Sequence, residues 1–84
     1  MNNMKLEIGK LYKLNFDRNL SNYSIISGSQ YYAREESICL LLDFDLRKNN
    51  NMKYNKFKVL TEDGIIGWIA TGMDAEALFS ANIE

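Results

Sequence analysis

Apolar and polar residues alternate along several stretches of this chain with a period of two, which is the pattern of half-buried β-strands. The clearest stretch runs from Ile38 to Leu46, where apolar residues at the even positions alternate with Cys39, Leu41, Asp43 and Asp45. We predict that this stretch is the central strand and that its even positions face the core.

A first strand is predicted from Ile8 to Phe16, because Lys13 and Asn15 alternate with apolar residues. The inward positions of this strand are Ile8, Tyr12, Leu14 and Phe16. From Asp17 to Ser37 the chain is rich in serine, asparagine and tyrosine, and it contains Ser27-Gly28-Ser29, a composition typical of loops. We expect a long first loop here, or a splayed hairpin.

The second half of the chain predicts a shorter loop followed by a tight hairpin. Arg47 to Asn55 contains three consecutive asparagines, which favour turns because asparagine tolerates left-handed backbone. Phe57 and Val59 continue the inward face of the strands. Asp63-Gly64 then predicts a type I′ turn that leads back through the run Ile65 to Ile69.

The chain closes with a predicted helical segment from Met73 to Phe79, one or two turns long. Asp74 stands near the amino end of this segment, where the helix dipole favours negative charge. The inward residues of the segment are Ala75, Leu78 and Phe79. Ser80 to Glu84 is predicted as a loose or edge-pairing tail.

This order of elements and one short motif resemble the SH3-like small barrels. The motif is Gly64-Ile65-Ile66-Gly67-Trp68-Ile69-Ala70, which has that family's order of glycine, two variable residues, glycine, an aromatic, an aliphatic and a small residue. Similar runs in small phage and bacterial proteins match Phe57-Lys58-Val59-Leu60, Asp63-Gly64 and Ile66-Gly67-Trp68. The resemblance covers roughly residues 38 to 79.

The resemblance implies an all-β fold. We expect an SH3-like small barrel of about five strands, with a long first loop and a short C-terminal helical turn, in a single domain over residues 1–84. Peptide-binding SH3 domains carry a proline and, three residues on, a tyrosine, where this chain has Ala70 and Met73. The resemblance therefore does not extend to the recognition of proline-rich peptides.

The amino-acid composition further limits the classes of function expected of this protein. The chain has 84 residues, enough for one modest core, and it has no histidine. Since histidine is the usual proton shuttle at neutral pH and the commonest metal ligand, we expect no enzyme, no cofactor and no metal site. The longest apolar run, Ile38 to Leu42, is too short to cross a bilayer, and the amino terminus has no apolar signal segment. A cytoplasmic protein is expected, in the host cytoplasm if a phage encodes it.

Three aromatic residues are the candidates for contact with a partner: Tyr31, Tyr32 and Trp68. Because Tyr31 and Tyr32 are neighbours in the chain, at most one of them faces the core and the other is offered to solvent or to a partner. Trp68 follows a glycine near the end of a strand, where its ring either caps the small core or forms a contact platform. Tyrosine and tryptophan are both enriched in binding surfaces.

A basic stretch supplies an alternative site for nucleic acid or phosphate. Its residues are Arg47, Lys48, Lys53, Tyr54, Lys56 and Lys58, with no acid between positions 46 and 58. Cations interleaved with an aromatic ring can hold phosphates while the ring stacks on a base. The competing interpretation is a solvated hairpin whose lysines protect a sheet edge from aggregation. The net charge of −1 argues against strong nonspecific attraction to nucleic acid.

Two further features carry weaker signals. Asp43 and Asp45 lie two residues apart on one strand face, and paired carboxylates can bind a hard cation or transfer protons. The simpler interpretation is a solvated face, or partners for nearby lysines. Cys39 has no histidine to activate its thiol, so we interpret it as a small packed residue.

The function predicted from these observations is a noncatalytic protein-interaction module, in particular a phage or mobile-element protein that binds and modulates a host protein. The alternative is a small barrel that binds or sequesters nucleic acid or a nucleotide through residues 47–58. A protein partner is the first expectation, and an exposed carboxy-terminal edge also permits pairing with a second copy of the chain.

Overall fold

The computed structural model describes residues 5–21, 31–47 and 53–81. The elements in these ranges are β1 (Leu11–Leu14), β2 (Arg18–Leu20), β3 (Tyr31–Ala33), β4 (Ile38–Asp45), β5 (Asn55–Thr61), β6 (Ile66–Thr71), α1 (Ala75–Leu78) and β7 (Phe79–Ala81). Most of the described chain is therefore β-structure, which confirms the prediction of an all-β fold.

Five of these strands form one antiparallel sheet, in the order β6-β5-β4-β1-β7. Strands β2 and β3 pair with each other as a separate antiparallel hairpin. Ser21, directly after β2, forms a bridge with Trp68 of β6 through two backbone hydrogen bonds of 2.8 and 2.9 Å. This bridge attaches the hairpin to the β6 edge of the sheet.

The core lies against one side of the five-stranded sheet, which we call the inner face. Phe79 packs near its centre, because its ring centroid lies 5.3 Å from that of Phe57, edge to face, and 5.6 Å from that of Tyr12. Phe57 and Val59 are fully buried, as the alternation predicts. The remaining buried apolar residues of the core are Leu14, Leu20, Ala33, Cys39, Leu41, Ile65, Ile69 and Leu78.

The first strand is shorter than the predicted stretch from residue 8 to residue 16. Gly9 has φ of +90°, in the left-handed region that glycine adopts without strain, so the chain turns immediately before β1. Tyr12 and Leu14 are buried as predicted. The two outer positions lie beyond the strand ends, so the alternation does not extend to them, and the prediction that they face the core is wrong. These exposed residues are Ile8 (60%) and Phe16 (44%).

The central strand β4 contains a one-residue irregularity. Leu41 stands opposite Val59 of β5, but the next pair in the register is Asp43 with Lys58. Leu42 is therefore an additional residue on the β4 side, which is the arrangement of a β-bulge.

The bulge changes which positions of β4 face the core. Before it, the odd positions Cys39 and Leu41 are buried, at 3% and 0% exposure. After it, the even positions Phe44 and Leu46 pack against the core. The prediction that even positions face inward throughout this stretch is therefore wrong for its first half, because an extra residue reverses the alternation.

The predicted first loop contains regular structure. Within Asp17 to Ser37, β2 and β3 pair in register, with Arg18 opposite Ala33 and Leu20 opposite Tyr31. This agrees with the splayed-hairpin alternative, and the segment Ser27-Gly28-Ser29 lies outside the described residues.

Strands β5 and β6 form the predicted tight hairpin, but its turn is of another type. A type I′ turn needs positive φ at two consecutive residues, whereas between positions 61 and 65 positive φ occurs at Gly64 alone, at +85°. The N–H of Gly64 donates to the carbonyl of Thr61 (3.0 Å), and the N–H of Thr61 donates to the carbonyl of Ile65 (2.9 Å). These bonds close a three-residue loop that ends in a left-handed glycine, so the prediction of a type I′ turn is wrong.

Asn55, predicted to end the second loop, is instead the first residue of β5 and is buried, with 4% exposure. Its amide nitrogen donates to the carbonyl of Met73 (2.8 Å), and its amide oxygen accepts from the N–H of Arg47 (2.9 Å). The side chain thus connects the end of β4 to the segment after β6. Residues 48–52 of the second loop, Lys48 among them, lie outside the described part.

The predicted helical segment near the end of the chain is confirmed as α1. Asp74 occupies its N-cap position without a side-chain capping bond. Leu78 and Phe79 are buried, and Ala75 packs partly against the core. The tail predicted from residue 80 pairs with the sheet edge at Ser80 and Ala81, since β7 lies beside β1. Residues 82–84 are outside the described ranges.

We expect the substitution Asn55→Ala to lower the free energy of unfolding by about 2 kcal/mol, because it leaves the Arg47 N–H and the Met73 carbonyl without their partner. Urea unfolding of both proteins measures the difference. Asn19→Ala is the matched control, since Asn19 is an exposed asparagine on β2, and its effect should stay within about 0.5 kcal/mol. Equal effects of the two substitutions would contradict a structural role for Asn55.

Candidate functional site

The side of the five-stranded sheet turned away from the core is called the outer face here. On β6, Gly67, Ile69 and Thr71 are buried on the inner face, while Trp68 and the exposed Ala70 alternate onto the outer face. Trp68 is half-buried and does not belong to the buried core cluster. The structure therefore places its ring outside the core, which favours the contact-platform interpretation over the core-capping one.

The backbone of Trp68 is held by Ser21. The N–H of Trp68 donates to the Ser21 carbonyl (2.8 Å), the Ser21 N–H donates back to the Trp68 carbonyl (2.9 Å), and the Ser21 hydroxyl reaches the same carbonyl (3.3 Å). Both main-chain groups of Trp68 are thus bonded to the β2 side. This positions the indole on a strand that is hydrogen-bonded on both edges.

The strand register brings Tyr32 onto the same surface as Trp68. Residues directly opposite each other in antiparallel strands project to the same face, as do residues two apart on one strand. Trp68 stands opposite Ser21, Asn19 lies two residues before Ser21, and Tyr32 stands opposite Asn19. We call these four residues the aromatic face, after its two rings.

The exposure of the aromatic face agrees with this register. Tyr32 is 51% exposed, and Asn19 and Ser21 are also exposed. With a strand spacing of about 4.8 Å and a two-residue step of about 6.8 Å, the Cα atoms that carry the two rings lie about 12 Å apart. The backbone of Tyr31 belongs to β3, whereas its side chain lies outside what the structure describes.

Each of the two rings borders a different cleft. Tyr32 lines a cleft of about 360 Å³ together with Arg34, Ser37 and the turn residues Thr61 to Asp63. Trp68 lines one of about 260 Å³ with Ser21, Asp45, Lys56 and Ala70. Both clefts lie between the first-loop region and the β5–β6 hairpin, so side chains of a partner have a recess beside each ring.

The basic residues of the alternative site do not form an uninterrupted positive surface. The register sets Lys58 opposite Asp43 and Lys56 opposite Asp45 on neighbouring strands. Oppositely charged cross-strand neighbours stabilise one another and reduce the net potential of that part of the sheet. The other described members of this group are Arg47, Lys53 and Tyr54, all exposed.

Asp43 and Asp45 are both exposed on β4, as the solvated-face interpretation predicts. One carboxylate oxygen of Asp43 accepts the N–H of Phe44 at 2.8 Å, within the bulge region. No group of three or more cysteine or acidic side chains in the described ranges is arranged to hold a metal ion.

Cys39 is a buried thiol in the core, which confirms that it is a packed residue. Burial raises the pKa of this thiol to about 12, and the negative charge of Glu62 adds to the effect. A thiol with this pKa carries almost no thiolate at neutral pH, so it is a poor nucleophile.

Helical segments in the described part of the chain lack the length and hydrophobicity needed to cross a bilayer. No protein-family model, curated protein or solved structure matches the chain.

Two members of the aromatic face, Asn19 and Ser21, were not among the residues predicted from the sequence. Their positions depend on pairing with Tyr32 and Trp68, residues 13 and 47 positions away along the chain. Neither the polarity of Asn19 nor that of Ser21 distinguishes them from other residues of a loop-like segment. No local sequence signal identifies such a long-range pair.

The raised pKa of Cys39 predicts a specific loss of stability in alkali. Below pH 9 the thiol is protonated in both states; above it the unfolded state loses its proton while the folded state keeps it up to about pH 12. The stabilisation is therefore complete below pH 9 and lost as the pH rises above it.

Cys39→Ala removes this titration, and groups common to both proteins cancel in the difference. Between about pH 8 and about pH 10, the stability advantage of the unmodified protein over the variant should shrink by about 1.4 kcal/mol, measured by urea unfolding. A difference that does not depend on pH would contradict burial of the thiol.

Proposed function

We propose that this protein is a noncatalytic protein-interaction module with an SH3-like barrel fold, and that the aromatic face binds its partner. We further propose that it is a phage or mobile-element protein that acts in the host cytoplasm by binding and modulating a host protein. The observation that carries the binding proposal is the placement of Tyr32 and Trp68 on one face of three neighbouring strands.

The order of the strands supports the SH3-like proposal. A first strand is followed by an inserted hairpin, then by three strands joined in sequence as neighbours, then by the short helix α1 and a last strand that returns beside the first. Up to α1 this follows the order of strand, long loop, strand, short loop, tight hairpin and helical turn on which the resemblance to such barrels rests. The bridge between Ser21 and Trp68 brings the hairpin against the β6 edge of the sheet. A barrel would close through this contact.

The chemistry of the aromatic face supports a protein partner. Tyrosine and tryptophan supply large contact areas with few rotatable bonds, and the asparagine and serine between them supply hydrogen-bonding groups. Clefts of about 360 and 260 Å³ lie next to the rings, and each can receive a side chain of a partner. A folded protein surface or an extended segment fits this arrangement.

Charge supports a protein over a nucleic acid. Two of the lysines in the basic stretch, Lys56 and Lys58, face carboxylates across the strands, and the net charge of the chain is −1. Nucleic-acid binding depends on releasing counterions from several phosphates at once, which needs an excess of positive charge on one surface. The aromatic face itself contains no charged residue.

The chain has one tryptophan, so its fluorescence reports on Trp68 directly. We expect an emission maximum of a partly hydrated indole and measurable quenching by iodide in the free protein, because the ring is half-buried on the outer face. A blue-shifted emission that iodide does not quench would remove Trp68 from the proposed site.

A second test compares proteins captured from a host lysate by four baits: the unmodified chain, Tyr32→Ser, Trp68→Phe and Tyr54→Ser. Tyr54 is the matched control, because it is a tyrosine of similar exposure, 46% against 51% for Tyr32, that lies off the aromatic face. We expect a stoichiometric protein to be retained by the unmodified chain and by Tyr54→Ser. Tyr32→Ser and Trp68→Phe should each weaken its binding by about 1 to 3 kcal/mol with little change in melting temperature.

Three outcomes would contradict the proposed function. Equal retention by all four baits would place the binding surface elsewhere. Recovery of an oligonucleotide that is lost with Tyr54→Ser, and not with Tyr32→Ser, would indicate that the basic stretch is the functional surface. Lowered melting temperatures for Tyr32→Ser and Trp68→Phe would show that their rings serve the fold.

A further inference from the structure

An apolar row crosses four strands on the outer face, next to the charged residues of β4 and β5. The register aligns Leu11 of β1 with Leu40 of β4, Leu40 with Leu60 of β5, and Leu60 with Ile66 of β6. Leu11 is 49% exposed, and the other three are half-buried. A shallow cleft of about 360 Å³ follows the row, bordered by Leu11, Ile38, Leu40, Leu60, Thr61 and Glu62. We call Leu11, Leu40, Leu60 and Ile66 the apolar row.

Charged residues follow the apolar row along the same strands. Beyond Leu40 and the bulge, β4 carries Asp43; beyond Leu60, β5 carries Lys58 directly opposite. The next outward pair repeats the arrangement, with Asp45 on β4 and Lys56 on β5. One strand is therefore acidic and its neighbour basic, in matched positions.

We infer that the outer face binds a second copy of this chain in a two-fold symmetric dimer. The observation that selects this occupant is that the face is complementary to itself. A two-fold axis between β4 and β5, parallel to the strands and in the plane of contact, exchanges the positions of these two strands. It sets Leu40 against Leu60 of the second copy, and it sets Asp43 against Lys58 of the second copy.

The same two-fold axis also brings complementary residues together at the outer positions of the contact. Leu11 meets Ile66 of the second copy, and Lys56 meets Asp45 of the second copy. Every apolar residue of the row is therefore covered by an apolar residue, and Asp43 and Asp45 are each covered by a lysine. Sheets that pack face to face with nearly aligned strands are a common arrangement in β-proteins.

A two-fold axis in the other direction within the contact plane gives a less favourable dimer. An axis perpendicular to the strands, passing through the apolar row, also brings the row onto itself. It sets Asp43 against Ile38, two residues before Leu40 on the same strand, and so covers a carboxylate with an apolar side chain. The parallel axis pairs both Asp43 and Asp45 with lysines of the second copy, whereas the perpendicular axis pairs neither with a lysine, so the parallel axis is the arrangement that we propose.

The contact is small, with an apolar row about 15 Å long. Interfaces below the standard size are typically weak and transient, so we expect a dimer that dissociates on dilution through the micromolar range. This inference does not rest on the proposed function. Tyr32 lies on the hairpin, outside the dimer contact, so Tyr32→Ser affects partner capture and leaves self-association unchanged.

The experiment uses two charge-reversal variants, Asp43→Lys and Lys58→Glu, studied alone and mixed. In each variant alone, both symmetric contacts between position 43 and position 58 join like charges, so its self-association should be at least about tenfold weaker. In an equimolar mixture the two variants pair opposite charges at both contacts, so dimers should reappear. Sedimentation equilibrium over a dilution series measures each constant, and native mass spectrometry shows whether the recovered dimer contains one chain of each kind.

Leu60→Lys is the apolar counterpart, because it places a charge in the middle of the row. It should abolish the dimer while leaving the thermal melt close to that of the unmodified protein, since Leu60 points away from the core. Melting curves of all variants establish that they are folded. A monomer at every concentration up to about 1 mM would overturn the inference, as would a dimer that none of the three substitutions weakens. Variants that are monomeric alone and stay monomeric in the mixture would overturn the two-fold arrangement.

Discussion

The alternation of side chains along β4 decides which of its residues lie on the inner face of the sheet and which lie on the outer face. That alternation depends on one additional residue, Leu42. Strand β4 pairs with β1 on one edge and with β5 on the other, so its side-chain directions are shared by the middle of the sheet. Without the bulge, the odd positions that bury Cys39 and Leu41 would carry Asp43 inward as well. Burying an unpaired carboxylate is costly enough to disrupt so small a core. The bulge therefore allows one strand to supply leucine to the core and aspartate to the surface.

A second long-range constraint holds the candidate site together. The backbone pairing of Ser21 with Trp68 joins the β2–β3 hairpin to β6, and it also satisfies hydrogen-bonding groups that would otherwise stand open at a sheet edge. The same two bonds align Tyr32 with Trp68 on one surface. The residues that protect this edge therefore also position the two aromatic rings. The outer face continues from Trp68 onto the apolar row, so self-association and partner binding would use adjoining parts of one surface.

The parts of the fold that were predicted correctly are those governed by short-range patterns. The β5–β6 hairpin follows from two alternating runs separated by a glycine turn, and the burial of Phe57 and Val59 follows from the period of two. The helical turn around Leu78 was likewise visible in the local spacing. Errors arose where a single residue broke a pattern. The turn at Gly9 made the first strand begin later than predicted, and the three-residue loop closed by Gly64 replaced the expected two-residue turn.

The sequence by itself determined the all-β class, the hairpin, the buried thiol and the three aromatic candidates, because each depends on residue type or on neighbours a few positions away. Only the tertiary structure decided that Cys39 lies on the inner face and that Tyr32 and Trp68 share an exposed surface. The bulge at Leu42 sets the side-chain directions of β4. The backbone hydrogen bonds of Ser21 place the β2–β3 hairpin beside Trp68, and the side-chain amide of Asn55 joins β4 to the segment after β6. These contacts link residues that are distant along the chain, and alternation defines two faces of a strand without stating which one is inward. The pairing partners make that choice, since register aligns apolar side chains on one side only when the strands have come together.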